Sequence, residues 1–412
     1  MSPPQTHSPL RALGLVVAAG AVVAGGACGS LAATGGAAAP GQAAVASPAL
    51  SASAAATYRV IVGAESADSL HVVRFGAEGA ALERTIPVAE LYRTTGIGDR
   101  LTEGEAPHGL AASPDGAFLY MTTGHGIPDG KLWKIDVGAA ASVGDPVDLG
   151  RFPASLDVTP DGRFVFVVNF NLHGSMTPSS VSVVYAPDMV EVARTETCTM
   201  PHGSRVAPAG TRHYSVCMMD DQLVEIDVRT FRVARRFSVA TGAEGEVPDH
   251  AAGHDVPGHD TAGHQPTCSP TWAQPSRDGA RVYVACNRSD EILEVDVDGW
   301  RVSRRFATGR GPYNLETTPD GRLLVVTLKQ GHGVEFIDLD AGRTLRRLDS
   351  SARVTHGVAV SPDGRFAFVS VEGVGAEPGK VDIYDLASLS RVASVPIGLQ
   401  ASGITFWSME SP

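Results

Sequence analysis

From residue 57 onward, short runs in which apolar and polar residues alternate are separated by turns. Within residues 355–386, the runs Val358–Val360, Phe366–Val371 and Val381–Leu386 are separated by Ser361-Pro362-Asp363-Gly364 and by a Gly-rich loop. Alternation with a period of two predicts β-strands, and Pro-Asp-Gly predicts a tight turn between them. This stretch therefore predicts an antiparallel β-meander.

The same unit recurs along the chain. The turn is found, with Gly-to-Gly spacings of 46, 48, 69, 42 and 43, at Pro114-Asp115-Gly116, Pro160-Asp161-Gly162, Pro208-Ala209-Gly210, Arg277-Asp278-Gly279, Pro319-Asp320-Gly321 and Pro362-Asp363-Gly364. Each turn is followed by an apolar second strand, a third strand that ends in Asp and an Arg-rich fourth strand. Four antiparallel strands that repeat at this interval are typical of β-propeller blades.

Six full blades begin near residues 107, 151, 199, 267, 310 and 355. Residues 57–90 contain three further strands without an innermost one, and residues 402–408 match an innermost strand with nothing after it. The C-terminal strand would then pair with the N-terminal blade and leave no free edge. The sequence predicts an all-β, seven-bladed β-propeller over residues 57–409, with a His/Asp-rich loop insertion at 241–266.

The repeat resembles that of a known family. The copies VTPDGRFVFVVNFN, TPDGRLLVVTL and SPDGRFAFVSV are similar to the YVTN-type repeat of exported bacterial seven-bladed propellers, within the superfamily of cytochrome-d1-like propellers. The resemblance covers nearly all of residues 57–409. It implies the fold and leaves the activity open, because such propellers include binding proteins, electron-transfer proteins and lactonase-like enzymes.

The N-terminus has the features of an export signal. Arg11 precedes the apolar run 12–27, which is short for a membrane span and typical of a signal peptide. Gly26-Ala27-Cys28 resembles a bacterial lipobox, although Gly25 stands where an aliphatic residue is usual. The sequence predicts a signal peptide over residues 1–27 and a lipid at Cys28, with ordinary cleavage within 32–39 as the alternative.

Residues 28–56 are almost wholly Ala, Gly, Ser and Pro, which predicts a flexible tether. The net charge of −12 argues against nucleic acid or an anionic membrane surface as the main partner. We therefore expect a monomer in the periplasm or at the cell surface that contacts the membrane only through its lipid.

Four cysteines remain for disulfides, and export permits them. Cys217 and Cys286 each lie seven residues after the turn Gly of their blade, whereas Cys198 and Cys268 lie twelve and eleven residues before it. First and second strands are antiparallel neighbours, so the alignment predicts Cys198–Cys217 and Cys268–Cys286, each at one end of a hairpin. Each bond would stabilise the fold by roughly 3 kcal/mol.

Histidine is the unusual residue. His108, His202 and His356 each lie eight residues before the turn Gly, at the entry of the innermost strand of blades two, four and seven. This placement predicts a three-His tripod for copper or zinc at the mouth of the central channel. The structural alternative is that each imidazole hydrogen-bonds a neighbouring blade.

Further histidines are expected on the same face. They occupy His-Gly steps in loops after second strands and the Gly-His-Asp repeats of the insertion, and they are His125, His173, His332, His250, His254, His259 and His264. Met200, Met218 and Met219 lie near His202 and would favour copper. The alternative is a surface insertion that carries no site.

Most other polar residues have a structural explanation. The turn aspartates are expected to hydrogen-bond the turn backbone. The pairs Arg235-Arg236, Arg304-Arg305 and Arg346-Arg347 fall on outer strands, where charge prevents edge-to-edge association.

Three functions remain. The first is a binding or scaffold module that catalyses nothing and presents its His-rich top face to an envelope protein or a small ligand. The second is a copper-like metal-binding protein or oxidoreductase that uses the three channel-mouth histidines. The third is a lactonase-like hydrolase, for which only Arg205 and Glu316 are near the expected positions.

Overall fold

The computed structural model describes residues 56–92, 105–124, 130–248 and 265–411. They form seven antiparallel sheets that correspond to the seven predicted blades. In blades three and five to seven the strands follow the order of the chain, from the innermost to the outermost. The predicted fold class is confirmed.

The strands of blades one to four have the following bounds. Blade one contains β1 Thr57–Ala64, β2 Ser69–Gly76, β3 Gly79–Pro87 and the C-terminal strand β30 Ala401–Glu410. Blade two contains β4 Leu110–Ala112, β5 Leu119–Thr123, β6 Lys131–Asp136, β7 Ala141–Ser142 and β8 Val147–Asp148. Blade three contains β9 Pro153–Val158, β10 Phe164–Asn169, β11 Pro178–Tyr185 and β12 Val190–Thr199. Blade four contains β13 Pro201–Val206, β14 Arg212–Cys217, β15 Gln222–Asp227, β16 Arg232–Ser238 and β17 Gly245–Val247.

Blades five to seven have four strands each. Blade five contains β18 Pro270–Pro275, β19 Arg281–Cys286, β20 Glu291–Asp296 and β21 Arg301–Ala307. Blade six contains β22 Pro312–Thr317, β23 Leu323–Leu328, β24 Gly333–Asp338 and β25 Arg343–Asp349. Blade seven contains β26 Thr355–Val360, β27 Phe366–Val371, β28 Lys380–Asp385 and β29 Ser390–Pro396. The described helices are a 3₁₀ turn, Glu65–Ala67, and the short α1, Val88–Leu91, and no helix in the described ranges is long and apolar enough to cross a membrane.

The ring closes through the two ends of the propeller. β30 pairs antiparallel with β1, from Thr57 opposite Glu410 to Ala64 opposite Ala401. β30 is therefore the innermost strand of blade one, as the sequence predicts. This pairing gives the first blade four strands although its own chain segment supplies only three.

The apolar core is divided among the seven interfaces between neighbouring blades. One buried hydrophobic cluster fills each interface, and every cluster takes its side chains from two adjacent sheets. Both faces of each sheet are thus covered, which explains why second strands such as Leu323–Leu328 are apolar at nearly every position. The core encircles the channel and leaves the innermost strands to line it.

Each Asp-Gly turn is built as the composition predicts. In blade seven, the Ser361 hydroxyl donates to Asp363 Oδ1 over 2.6 Å, and the backbone N–H of Arg365 donates to the same oxygen. Gly364 has φ +70°, a conformation that favours glycine. These hydrogen bonds lower the pKa of Asp363, whereas its burial raises it, and the balance lies below the ordinary value. The turn aspartates have a structural role.

The outer-strand arginines pair with acids of the third strands. Arg235 contacts Glu225, Arg304 contacts Glu294, and Arg347 lies 2.9 Å from Glu335. These glutamates are buried, so each needs a partner to offset the loss of water. The arginines that the sequence assigns to edge protection therefore also neutralise a buried carboxylate in the adjacent strand.

Both predicted disulfides are present, but one cysteine is placed differently. Cys268–Cys286 lies within blade five, as predicted. Cys198 belongs to the last strand of blade three, so Cys198–Cys217 links blade three to blade four. The prediction that Cys198 begins the first strand of blade four is wrong, because β12 runs through Thr199 and β13 starts only at Pro201.

Candidate functional site

A cavity of about 490 Å³ lies at the mouth of the channel on the face where the innermost strands begin. We call it the upper cavity. Its walls come from two positions in the blades. The inner ring is formed by residues that lie eight positions before the turn Gly of their blade, and its members are His108, His202, Thr271, Tyr313 and His356. The outer ring is the residue directly after the second strand, and it contributes Glu65, Phe170, Met218, Asn287, Lys329 and Glu372.

His202 is fixed by hydrogen bonds at both ring nitrogens. Nδ1 lies 2.8 Å from the carbonyl oxygen of Thr271, so this nitrogen carries the proton and donates. The Tyr313 hydroxyl then donates to Nε2 over 3.0 Å. Burial lowers the pKa of His202 to about 3, so the ring is neutral at pH 7. His202 joins blades four, five and six.

His356 lies between a cation and a carboxylate. Its Nε2 is 3.9 Å from Glu372 Oε1, and Lys329 Nζ is 3.1 Å from the same oxygen. Its Nδ1 is buried and has no hydrogen-bond partner among the described residues. Burial, reinforced by the charge of Lys329, holds the pKa of His356 well below its ordinary value. This ring is also neutral at pH 7.

Lys329 is the lysine of the upper cavity. Its Nζ lies 4.3 Å above the centre of the Tyr313 ring, a cation–π contact, in addition to its pairing with Glu372. Burial acts to lower the pKa of Lys329, but the attraction of Tyr313 and Glu372 outweighs burial and raises it. Lys329 is therefore a permanent cation at the rim.

His108 is held by Glu65 of the first blade. Its Nδ1 lies 2.6 Å from Glu65 Oε1, and Gln400 Nε2 donates to Glu65 Oε2 over 3.1 Å. Glu65 is 5% exposed, and these two hydrogen bonds replace part of the hydration that its carboxylate loses on burial. The His108 and His356 rings are 5.8 Å apart and nearly perpendicular.

The opposite wall is apolar. Phe152, Phe170 and Leu172 of blade three and Met200 and Met218 of blade four line it. Phe170 packs edge-on against His202 with ring centres 4.7 Å apart. The upper cavity therefore has an ionisable side, from blades one, two, six and seven, and an apolar side, from blades three and four.

The structure brings the three predicted channel-mouth histidines to one cavity but does not arrange them as a tripod. Tyr313 lies between His202 and His356, with ring centres 5.3 Å and 4.8 Å from them, because blades five and six separate those histidines. Within the described ranges, no three His, Cys, Asp or Glu side chains are grouped so that they could hold a metal ion.

The two other predicted histidines within the described ranges do not line the upper cavity. His173 is exposed, and His332 Nδ1 accepts the backbone N–H of Val354 over 3.1 Å. The remaining predicted histidines lie outside the described residues, and they are His125, His250, His254, His259 and His264. Of the predicted methionines, Met200 and Met218 line the cavity.

Sequence analysis missed the outer ring. Glu65, Lys329 and Glu372 supply the charges of the upper cavity, and each directly follows a second strand. The signal was their shared offset, eight residues after the turn Gly in blades six and seven. This offset was not recognisable by composition, because the residue type changes from blade to blade and only Glu occurs twice, in blades one and seven.

Comparison with known proteins supports the fold. Residues 318–410 match the Cytochrome D1 heme domain family. Hydrazine synthase of Kuenenia stuttgartiensis is similar in structure, with a TM-score of 0.56, 20% identity and coverage of 73% of this chain and 89% of that chain. The Cps50 (Swd1) beta-propeller domain of Myceliophteria thermophila has a TM-score of 0.52, 14% identity and coverage of 71% and 88%.

A comparison with curated proteins finds no match. At identities this low, the two structural similarities establish the fold alone. The chain is a seven-bladed β-propeller whose C-terminal residues 318–410 match the Cytochrome D1 heme domain family.

Proposed function

We propose that the protein is an exported propeller, anchored by a lipid at Cys28, that binds a small molecule in the upper cavity. The observation that supports this most directly is the division of the cavity into an ionisable side and an apolar side. Concave sites with apolar walls and a few convergent polar groups are the usual form of small-molecule sites. The signal peptide over residues 1–27 and the tether over 28–56 support a position in the periplasm or at the cell surface.

The charges of the upper cavity limit the ligand. Lys329 is paired with Glu372, and Glu65 is paired with His108, so no wall presents an unmatched cation. His202 and His356 are neutral at pH 7 because burial lowers the pKa of each. A multiply charged anion would therefore gain little. We infer a compact ligand with an apolar body and a neutral or cationic head.

The name of the matched family raises the question of a heme. A heme carries carboxylates and needs an axial ligand; the described walls contain imidazoles and thioethers that suit the second requirement, but their charges do not suit the first. Glu65 and Glu372 face the cavity, the single lysine is already paired, and both nitrogens of His202 are engaged. The match itself begins at residue 318 and so excludes His108 and His202. The described residues do not fit a heme.

Transition-metal binding is the second candidate, with copper or zinc as the metal and redox chemistry as the corresponding activity. One observation favours it: the buried Nδ1 of His356 has no partner, and the ring of His108 lies close by. The His/Asp-rich insertion would supply further ligands under this hypothesis. A lactonase-like hydrolase has less support, because Arg205 and Glu316 line the opposite mouth of the channel, away from the described histidines of the upper cavity.

The ligand proposal is tested with three probes that share one indole body. Tryptamine has a cationic head, tryptophol a neutral one and indole-3-acetate an anionic one. We expect tryptamine or tryptophol to raise the thermal unfolding midpoint of the purified protein more than indole-3-acetate does. Met218→Trp should abolish the effect, because it fills the apolar side of the upper cavity.

Met176→Trp is the matched control, since Met176 is exposed and does not line the cavity. No stabilisation by any probe, or equal stabilisation of the Met218→Trp variant, would overturn the proposal. Elemental analysis of the untagged protein tests the transition-metal alternative. Copper or zinc present at one equivalent in the wild type and lost in His356→Ala would favour a metal site.

A further inference from the structure

The opposite mouth of the channel opens into a second, larger cavity of about 1090 Å³. We call it the lower cavity. It is lined by the residue five before the turn Gly, which is polar in four consecutive blades: Asp157, Arg205, Gln274 and Glu316. The neighbouring wall carries apolar side chains from blades one, two and seven, among them Leu110, Ile404, Phe406 and Trp407. The small-molecule and metal sites proposed above both lie in the upper cavity and do not use this one.

The Glu316 carboxylate lies between two arginines without a direct hydrogen bond to either. Arg205 is 3.8 Å from Glu316 Oε2, and Arg277 is 3.7 Å from Glu316 Oε1. These distances are longer than those of hydrogen bonds. A ligand group could therefore hydrogen-bond to the Glu316 carboxylate and to one of the arginines at the same time. Burial raises the pKa of Glu316 even though both arginines lower it. The carboxylate is therefore not fully compensated by the protein.

Two buried amide oxygens point to the same conclusion. Gln274 is 6% exposed, and its Oε1 has no hydrogen-bond partner in the protein, while its Nε2 donates to the carbonyl oxygen of Pro275. Asn314, 5% exposed, has an unpartnered Oδ1 in the narrow neck between the two cavities. The neck also contains Trp272, whose buried Nε1 donor is unpartnered. Buried polar atoms without partners are rare in folded proteins, and a ligand that hydrogen-bonds them would explain those that border a cavity.

Asp157 is the fourth of the polar residues that line the lower cavity, a set that we call the polar arc. Both of its carboxylate oxygens already accept hydrogen bonds from the backbone. Its Oδ2 accepts the backbone N–H of Val206 over 2.8 Å, and its Oδ1 accepts that of Val158 over 2.9 Å. Arg205 stacks over the Trp272 ring at 4.9 Å, which fixes the guanidinium above the neck. Together with Arg277, these residues therefore present both hydrogen-bond acceptors and donors on a rigid frame.

This combination of acceptors and donors indicates the ligand class. A simple anion would be repelled by Glu316 and Asp157, and a simple cation would be repelled by Arg205 and Arg277. A hydroxyl both donates and accepts, so adjacent hydroxyls can satisfy Glu316 or Gln274 and an arginine at the same time. The apolar wall opposite the arc suits the C–H faces of a sugar ring. We propose that the lower cavity binds a neutral oligosaccharide.

The size of the cavity favours an oligosaccharide over a single sugar, since about 1090 Å³ is at the upper limit for small-molecule sites. The charged groups at the rim comprise Arg59, Glu83, Asp115 and Glu410, and Arg59 pairs with both glutamates. With one arginine against three carboxylates, the rim carries a net negative charge, which disfavours an anionic ligand.

The test measures binding of maltotriose, cellotriose and chitotriose to the purified protein by saturation-transfer NMR and calorimetry. We expect at least one of the three to bind, and a trisaccharide of uronic acids not to bind. Glu316→Gln and Gln274→Leu should each weaken binding by roughly tenfold or more, because each removes an acceptor for sugar hydroxyls.

Met176→Leu, at an exposed position outside both cavities, is the matched control and should bind as the wild type does. Circular dichroism tests whether each variant is folded. If Gln274→Leu is not folded, Arg277→Gln, at a more exposed position, provides the second measurement. Three results would overturn the proposal: no binding of any neutral trisaccharide at millimolar concentration, binding unaffected by Glu316→Gln, or binding of the uronic acid alone.

Discussion

At the scale of single residues, buried neutral histidines make the fold sensitive to acid. His213 lies on β14 and stacks on Phe166 of blade three, with ring centres 4.6 Å apart. Neither ring nitrogen has a hydrogen-bond partner, and burial lowers the pKa of His213 to about 3. The unfolded chain takes up this proton near pH 6.5, whereas the folded protein does not until about pH 3. Stability from this residue is therefore present above pH 6.5 and is lost as the pH falls.

His213→Phe is expected to remove this loss. From pH 7 to pH 5, the wild type should lose about 2 kcal/mol of unfolding free energy through His213 alone, at about 1.4 kcal/mol per pH unit below pH 6.5. The Phe variant should lose correspondingly less over the same interval. Urea denaturation at the two pH values measures the difference.

His213→Leu separates the effect of charge from that of volume, because it removes the titrating group without enlarging the side chain. If both variants kept the pH dependence of the wild type, His213 would not be buried and neutral in the way described. His202 and His356 should behave in the same direction, since burial also lowers the pKa of each.

At the scale of elements, the His-Gly steps explain why a histidine side chain lies on the wall of the upper cavity. Gly109 follows His108 where the innermost strand of blade two approaches that of blade three. A Cβ on Gly109 would lie 2.6 Å from the carbonyl oxygen of Ala154 and 2.7 Å from the Leu156 side chain. The glycine is required by strand packing, and the preceding residue is then directed to the cavity wall.

Gly109→Ala should therefore destabilise the protein by roughly 1–3 kcal/mol, because backbone of the next blade would have to shift. Gly245→Ala is the matched control in another strand, since a Cβ there would meet nothing within 4 Å. We expect the control to change the unfolding free energy by less than about 0.5 kcal/mol. Equal effects of the two substitutions in urea denaturation would contradict the packing explanation.

The elements themselves could be predicted from the sequence, because alternation and Asp-Gly turns are local signals. The blade count, the pairing of β30 with β1 and both disulfides are confirmed. The strand that contains Cys198 could not be predicted, since nothing local distinguishes the end of β12 from the start of β13. The short β17, which adds a fifth strand to blade four, also has no alternating pattern of its own.

The candidate site was only half predictable for a related reason. His108, His202 and His356 could be aligned because they share a residue type and an offset. Lys329 and Glu372 share only an offset, and their meeting over 3.1 Å depends on the curvature of the ring. Whether histidines converge on one point also depends on the channel width, and Tyr313 occupies the gap that a metal tripod would need.

At the scale of the whole molecule, stability depends on the closure of the ring. Deletion of residues 401–412 would remove β30, leave the inner edge of β1 unpaired and expose the cluster between blades one and seven. We expect this truncated chain to lose its cooperative thermal transition and to associate through the free edge. Differential scanning calorimetry and size-exclusion chromatography measure the two effects.

A synthetic peptide of residues 401–410 should restore the transition when added to the truncated chain. Deletion of residues 411–412 alone is the control and should leave the transition unchanged, because β30 ends at Glu410. A truncated chain that unfolded as cooperatively as the wild type would show that the N-terminal blade is stable with three strands.

The two rings of the upper cavity also bear on how such a molecule changes over evolutionary time. Five blades contribute a residue to the inner ring and six contribute one to the outer ring. None of these residues belongs to the seven hydrophobic clusters between neighbouring blades. A mutation at one of these positions can therefore alter the ligand while it leaves those apolar interfaces intact. The ligand specificity of such a fold can therefore change through substitutions in one blade at a time.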